Sequence, residues 1–254
     1  MANSRRMNIP NQFRFFLFII LLQLPVVKIF AQSSAEDSIF YTKTIQNALA
    51  TYYRSAGDQS RLYNGTEYAG YPFVFTEGFP FFLSDKAQKG SIIYDKVEFK
   101  DVDLLYDEMT GVVIFQDERH RIQLLNERIS GFTLGDYKFI RIVNDNPGSN
   151  APSTGFYNIL YEGNLRVLKK EIKTSRIVNS FSQELTHVVD VKTYYYVKIN
   201  HEYVQITSQK ELLNSLSLRK KEIQRYIKSN KLSFKKDTDN LLAKVAAYYD
   251  LQTK

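Results

Sequence analysis

The chain predicts an α+β fold that is mainly β: a curled antiparallel meander, barrel-like or half-barrel, with an N-terminal helix and a C-terminal helical segment. Three observations carry this reading. Between Gly90 and Ile142 apolar and polar residues alternate, and turn residues such as Asp107–Gly111 and Asp117–His120 interrupt the alternation. Period two broken about every eight to twelve residues marks antiparallel strands with one buried face. Beyond Ser208 the apolar spacing changes to a helical one. A second helical pattern, Ile39, Phe40, Ile45 and Leu49, precedes the strands.

Taken in order, residues 1–31 have the layout of a secretory signal peptide. Arg5, Arg6 and Arg14 are followed by the 13-residue run Phe15–Val27 and a break at Pro25, with cleavage expected after Ala31. The rival, a retained anchor, needs about 20 apolar residues, and Arg14 and Lys28 confine this run to 13. The mature protein is therefore expected without a transmembrane span. Residues 36–54 read as a helix covering one side or end of the sheet, closed by Gly57-Asp58. Leu62-Tyr63-Asn64-Gly65 reads as a turn. Thr66–Phe82 holds Pro72 and Pro80, which argue for an irregular or edge segment.

Within the meander, Val102, Leu104 and Tyr106 alternate with Asp101, Asp103 and Leu105, and Val112–Phe115, Ile122–Leu124, Gly131–Leu134 and Tyr137–Ile142 follow. The Pro- and Asn-rich stretch 144–153 is a loop. Phe156–Tyr161 with Leu165–Ile172, and Tyr194–Ile199 with Tyr203–Ile206, make hairpins; Lys173–Thr186 is ambiguous. Nine to eleven strands favour a closed or strongly curled sheet, since a long sheet twists and its edges need cover. Ser208-Gln209-Lys210-Glu211 has the form of a capping box and opens three short helices. The domains expected are the leader 1–31, a β domain with its helix at 32–207, and a basic helical segment at 208–254 packed on it.

The formal charge of the whole chain is +7. Without the leader it falls to +3, divided between −3 in residues 32–207 and +6 in residues 208–254. There is no cysteine, which excludes disulfides, thiolate-bound zinc, a cysteine nucleophile and a lipoprotein anchor. Stability must come from a core, and 18 Phe with 18 Tyr supply one.

Leu62-Tyr63-Asn64-Gly65, Val102–Asp107, Gly155-Phe156-Tyr157, Leu160–Gly163, the leader and the Lys-rich helical tail together resemble a group of exported β-rich proteins of Bacteroidetes-type bacteria. The resemblance spans nearly the whole mature chain. It implies an envelope location and a shared architecture; it carries no activity and no site residues.

No recognised catalytic constellation is present. His201-Glu202 does not continue into a zinc-protease motif, and no nucleophile elbow occurs. Ser217–Lys220 and Ser233–Lys236 have the S-x-x-K spacing of penicillin-binding enzymes, but lack their partner motifs. Asp101, Asp103, Asp107 and Glu108 are carboxylates suited to a hard cation, yet the loop lacks the pattern that wraps one. They read instead as a solvated strand face that discourages edge pairing. No phosphate-binding glycine loop exists, so neither a cofactor nor a metal is assigned.

Two binding surfaces remain. Tyr68, Tyr71, Phe73, Phe75, Phe79 and Phe81 could line a pocket for an apolar ligand, although packing between helix and meander is the favoured reading. Arg219, Lys220, Lys221, Arg225 and Lys228 could meet an anionic lipid or polysaccharide surface. A solvated face opposite the Leu, Ile and Tyr stripe is favoured there. The leading expectation is a non-catalytic binding or assembly module of the cell envelope, periplasmic or secreted. Alternatives are a carrier of a small apolar ligand or lipid and a hydrolase of cell-wall or glycan substrates. The partner expected is an envelope protein or lipid rather than nucleic acid.

Overall fold

Alternation along the middle of the chain resolves into strands that each pair with a neighbour through a short turn. The computed structural model describes residues 43–45, 47, 48, 51, 61–146, 151–179, 185–200 and 202–252. The leader and most of the 36–54 helix lie outside the described residues; those described between 43 and 51 are helical.

The strands are β1 (Thr66–Glu67), β2 (Phe75–Glu77), β3 (Gln88–Tyr94), β4 (Val97–Asp107), β5 (Val112–Gln116), β6 (Arg121–Gln123), β7 (Ile129–Leu134), β8 (Tyr137–Ile142), β9 (Gly155–Glu162), β10 (Arg166–Asn179), β11 (Leu185–Ile199) and β12 (Glu202–Gln205). They form one sheet in the order β1-β6-β5-β4-β3-β7-β8-β9-β10-β11-β12, with β2 added in parallel to β11. The sheet curls without closing, because β1 and β12 stand at opposite ends of this order. Twelve strands exceed the nine to eleven expected because the aromatic segment contributes the short strands β1 and β2. Of the ambiguous stretch Lys173–Thr186, residues 173–179 and 185–186 prove to be strand, with β10 paired residue by residue with β11, while 180–184 lie outside the described residues.

Local chemistry explains the tight turns. Asp95 and Lys96, joining β3 to β4, both take positive φ (50° and 65°), the geometry that matches the right-handed twist of a two-residue hairpin. Inside the curl, Tyr106 meets Phe132, Phe139 and Phe156 edge-on with ring centroids 5.4–5.9 Å apart, and Phe132 stacks on Phe139 at 4.6 Å. Burying each such ring contributes about 2–3 kcal/mol.

The alternation expected in β4 breaks down at its end. Leu104, Leu105, Tyr106, Asp107 and Glu108 are all buried. Leu105 and Ile114 point to the outer face of the sheet, where Phe81 covers them with help from Tyr68 and Phe79. This corrects the solvated-face reading of the carboxylates: only Asp101 is exposed, Asp103 is half-buried against Lys89, and β4 is a central strand.

The C-terminal helices among the described residues are α1 (Gln209–Ser215), α2 (Lys220–Ser229) and α3 (Thr238–Gln252). Ser208 Oγ caps α1 by accepting from Glu211 N–H at 3.2 Å. Glu211 returns its carboxylate one residue earlier than a capping box prescribes, to Thr207 N–H at 2.6 Å. Leu212, Leu213, Ile223, Ile227, Leu241, Leu242 and Val245 share a core with Leu165, Val167 and Val197 of the sheet. Asp250 of α3 locks the β9–β10 turn: it accepts from Tyr161 Oη (3.0 Å), Asn164 N–H (2.7 Å) and Leu165 N–H (3.2 Å). Gly163 must lack a side chain here, since a Cβ would fall 2.2 Å from Asp250 Oδ2.

Candidate ligand cleft

The site grows from the end of β4, where two carboxylates follow one another and so leave the strand on opposite faces. Asp107 is fully buried and saturated. Its Oδ2 accepts from Tyr68 Oη (2.9 Å) and Tyr71 Oη (2.8 Å), and its Oδ1 from Met109 N–H (2.9 Å) and Thr110 N–H (3.1 Å). Burial, then the neighbouring Asp107 charge, raises the pKa of Tyr68; burial and the bond to Asp107 do the same for Tyr71. This bundle ties the aromatic segment to the sheet.

Glu108 is 4 % exposed and is built differently. Lys173 Nζ stands 3.1 Å from its Oε2, within ion-pair range but off hydrogen-bond alignment, so Oε2 accepts no hydrogen bond. Lys173 instead donates to Phe81 C=O at 2.5 Å and lies over the Phe79 ring. Burial pushes the Glu108 carboxyl up to about 7; the Glu171 charge adds to the shift and Lys173 opposes it.

Glu108 lines a cleft of about 290 Å³ bounded by the β4–β5 turn, Asn126 and the exposed Glu127, Arg141 of β8, Thr154–Phe156 at the start of β9, and Lys170–Ile172 of β10. Its charges are arranged unevenly. Glu171 is paired with Lys169 at 2.9 Å, and Lys169 also reaches Asp239 of α3 at 2.8 Å. Arg141 and Lys170 join no ion pair among the described residues. Lys170 donates only to Ser153 Oγ (3.2 Å) and, more loosely, to Thr154 C=O (3.5 Å), and sits over the Tyr157 ring. Burial lowers its pKa. Gly155 makes room for it: a Cβ there would come 2.8 Å from Lys170 Nζ. On the opposite wall Asn126 Nδ2 donates to Gly111 C=O at 2.8 Å, leaving Asn126 Oδ1 buried without a partner. Buried acceptors are normally satisfied; Asn126 Oδ1 is not, and Glu108 Oε2 has only the Lys173 ammonium beside it, both oxygens sealed from solvent behind the cleft wall.

Comparison of the chain with protein-family models, curated proteins and solved structures finds no match. The cleft must therefore be read from its own residues.

The residues singled out from the sequence lie elsewhere. Phe81 is buried against Leu105 and Ile114. Tyr71, Phe73 and Phe75 form a half-buried cluster with centroids 5.2–5.7 Å apart, and Phe73 stacks on His187 at 3.6 Å. They cover the outside of the sheet, whereas the inside of the curl is filled by the rings around Tyr106. Lys220, Lys221, Arg225 and Lys228 are exposed on α2, opposite the buried Ile223 and Ile227, and Arg219 pairs with Glu222 at 3.0 Å. Among the described residues no three His, Asp or Glu side chains converge as metal ligands, and no helix is long and apolar enough to cross a membrane. Glu108 was visible in the sequence only as a turn carboxylate; Arg141 and Lys170 carried no signal of their own.

Proposed function

We propose that the protein is an exported, non-catalytic binding module of the bacterial cell envelope, and that the cleft beside Glu108 is its ligand site. The ligand is a small polar molecule carrying an anionic group. The observation that carries this reading is the pair Arg141 and Lys170, two cations that join no ion pair among the described residues. Of the carboxylates in their cleft, Glu108 is held protonated up to about 7 by burial, Glu171 is already paired with Lys169, and Glu127 is exposed. Concave sites with a few convergent polar groups and a perturbed carboxyl are where ligands bind, and a partly desolvated cation interacts with an anion more strongly than an exposed one does. The export leader and the resemblance to exported proteins of Bacteroidetes-type bacteria support the envelope assignment.

Native mass spectrometry of the protein purified from its own cells, together with thermal shifts against a panel of small carboxylates and phosphates, tests this. The expected result is a co-purifying polar anion, or stabilisation by at least one panel member that disappears in Arg141→Ala/Lys170→Ala. A co-purifying lipid would favour the carrier reading instead. A wild-type protein indifferent to every anion would remove the proposal.

A further inference from the structure

The cleft is also an interruption in the sheet, and its main chain narrows the ligand class. β9 and β10 pair as far as Asn158 opposite Lys169 and then part. Gly155 and Phe156 stay with β8, opposite Ile142 and Arg141. β10 continues, paired on its other edge with β11 without a break in register. Lys173 then turns its N–H away from β11 and donates to Glu108 C=O at 3.2 Å. In a regular strand, alternate residues direct their main-chain groups to the same edge. Glu171, two residues before Lys173 and two after Lys169, must therefore aim its N–H and C=O into the cleft. Phe156, two residues before Asn158, faces the same gap from β9. Lys169 to Lys173 spans about 13 Å of strand, so one rung of the ladder stands open between two that are filled.

We infer that an extended peptide with a free C-terminus fills this rung, pairing with the Glu171 main chain while its carboxylate meets Arg141 and Lys170. The inference rests on the ligand-site reading above. Strand addition at an exposed edge gives affinity through main-chain bonds and specificity through flanking side chains. The remaining groups suit a peptide. The cleft is lined by the rings of Tyr106 and Phe156 as well as by polar groups, so flanking side chains of either kind can be seated beside the open main chain. A volume of about 290 Å³ admits a short peptide end rather than a folded domain.

The test is calorimetric titration of the full mature chain with N-acetylated tripeptides, each as free acid and as C-terminal amide, alongside acetate and succinate. Free acids should bind at least about tenfold more tightly than their amides, since the charge-assisted contacts are lost with the carboxylate. They should also exceed the simple carboxylates. Glu171→Pro removes the N–H facing the cleft while sparing those bonded to β11; it should weaken peptide binding at least about tenfold relative to Glu171→Gln, without weakening acetate. If Glu171→Pro does not fold, Gly155→Ala, which crowds Lys170 Nζ, should lower affinity for the free acids and leave the amides unchanged. Equal binding of acid and amide, or of Glu171→Pro and Glu171→Gln, overturns the peptide inference. Simple carboxylates binding as tightly as peptides would also overturn it, yet leave the ligand-site reading standing. No binding by any anion would overturn both.

Discussion

Asp107 and Glu108 are adjacent, equally buried and both carboxylic, yet the two faces of the sheet treat them oppositely. On the outer face Asp107 is given four donors, two phenolic and two main-chain. On the inner side Glu108 has one lysine at 3.1 Å, no hydrogen bond to Oε2, and a cleft beside it. A buried charge is tolerable when hydrogen bonds replace its lost water. Asp107 meets that condition with the protein's own groups and so reads as structure. Glu108 does not, and its carboxyl responds by holding its proton up to about 7. The lesson is that burial alone does not separate a structural carboxylate from a functional one; the inventory of donors does.

The sharpest way to break this contrast is to remove the saturated member. Asp107→Ala strands two phenols and two N–H groups and unties the aromatic segment from β4. Its expected cost is about 3–5 kcal/mol, by loss of a charged acceptor and desolvation of what remains. Urea unfolding measures it. A loss below about 1 kcal/mol would show that Asp107 is as poorly integrated as its neighbour.

Glu108→Gln tests the other member through pH. Because the folded-state pKa is raised from 4.5 to about 7, the native state binds the proton more tightly than the unfolded chain. The stabilisation is therefore fully present below pH 4.5 and is lost as pH rises through 7. Across that window wild-type stability should fall by up to about 3 kcal/mol. Glutamine has no proton to lose, so the variant should be flat there by comparison. Unfolding curves at pH 4.5, 6 and 8 decide it. An equal slope in both proteins would assign the dependence to another group.

These contrasts explain which parts of the molecule could be read from sequence. The meander was legible because alternation is a local property: Ile92, Leu104, Val113 and Phe132 turn inward wherever their strands pair. The end of β4 was not, because its second covering layer, Phe79 and Phe81, arrives from a segment with its own irregular pattern. Lys173–Thr186 resisted reading for a related reason. Much of the arm it forms is half-exposed on both faces, so Ser175, Arg176 and Ile177 follow no single period. The cleft was least legible of all, since it exists only where β9 departs from β10. That departure is a fact of register, and no residue type announces it. Nor does spacing bring Arg141 near Lys170; β9 does, by lying between their strands.

The smallest expected effect examines how Asp107 divides its load. Tyr68 and Tyr71 donate to the same oxygen, Oδ2. Phenylalanine at either position keeps the ring, and hence the contacts of Tyr71 with Phe73 and Phe75 at 5.7 and 5.2 Å, while deleting one donor. Each single variant should cost about 1 kcal/mol. The remaining phenol still satisfies the oxygen in each case, so neither single change exposes its full desolvation cost. Tyr68→Phe/Tyr71→Phe removes both donors, and groups sharing one acceptor are not additive. The double variant should exceed the sum of the singles by roughly 0.5–1 kcal/mol. A double-mutant cycle that closes additively would mean that water takes the place of each phenol independently. Asp107 would then be solvated in part, and the difference between it and Glu108 would narrow to one of degree.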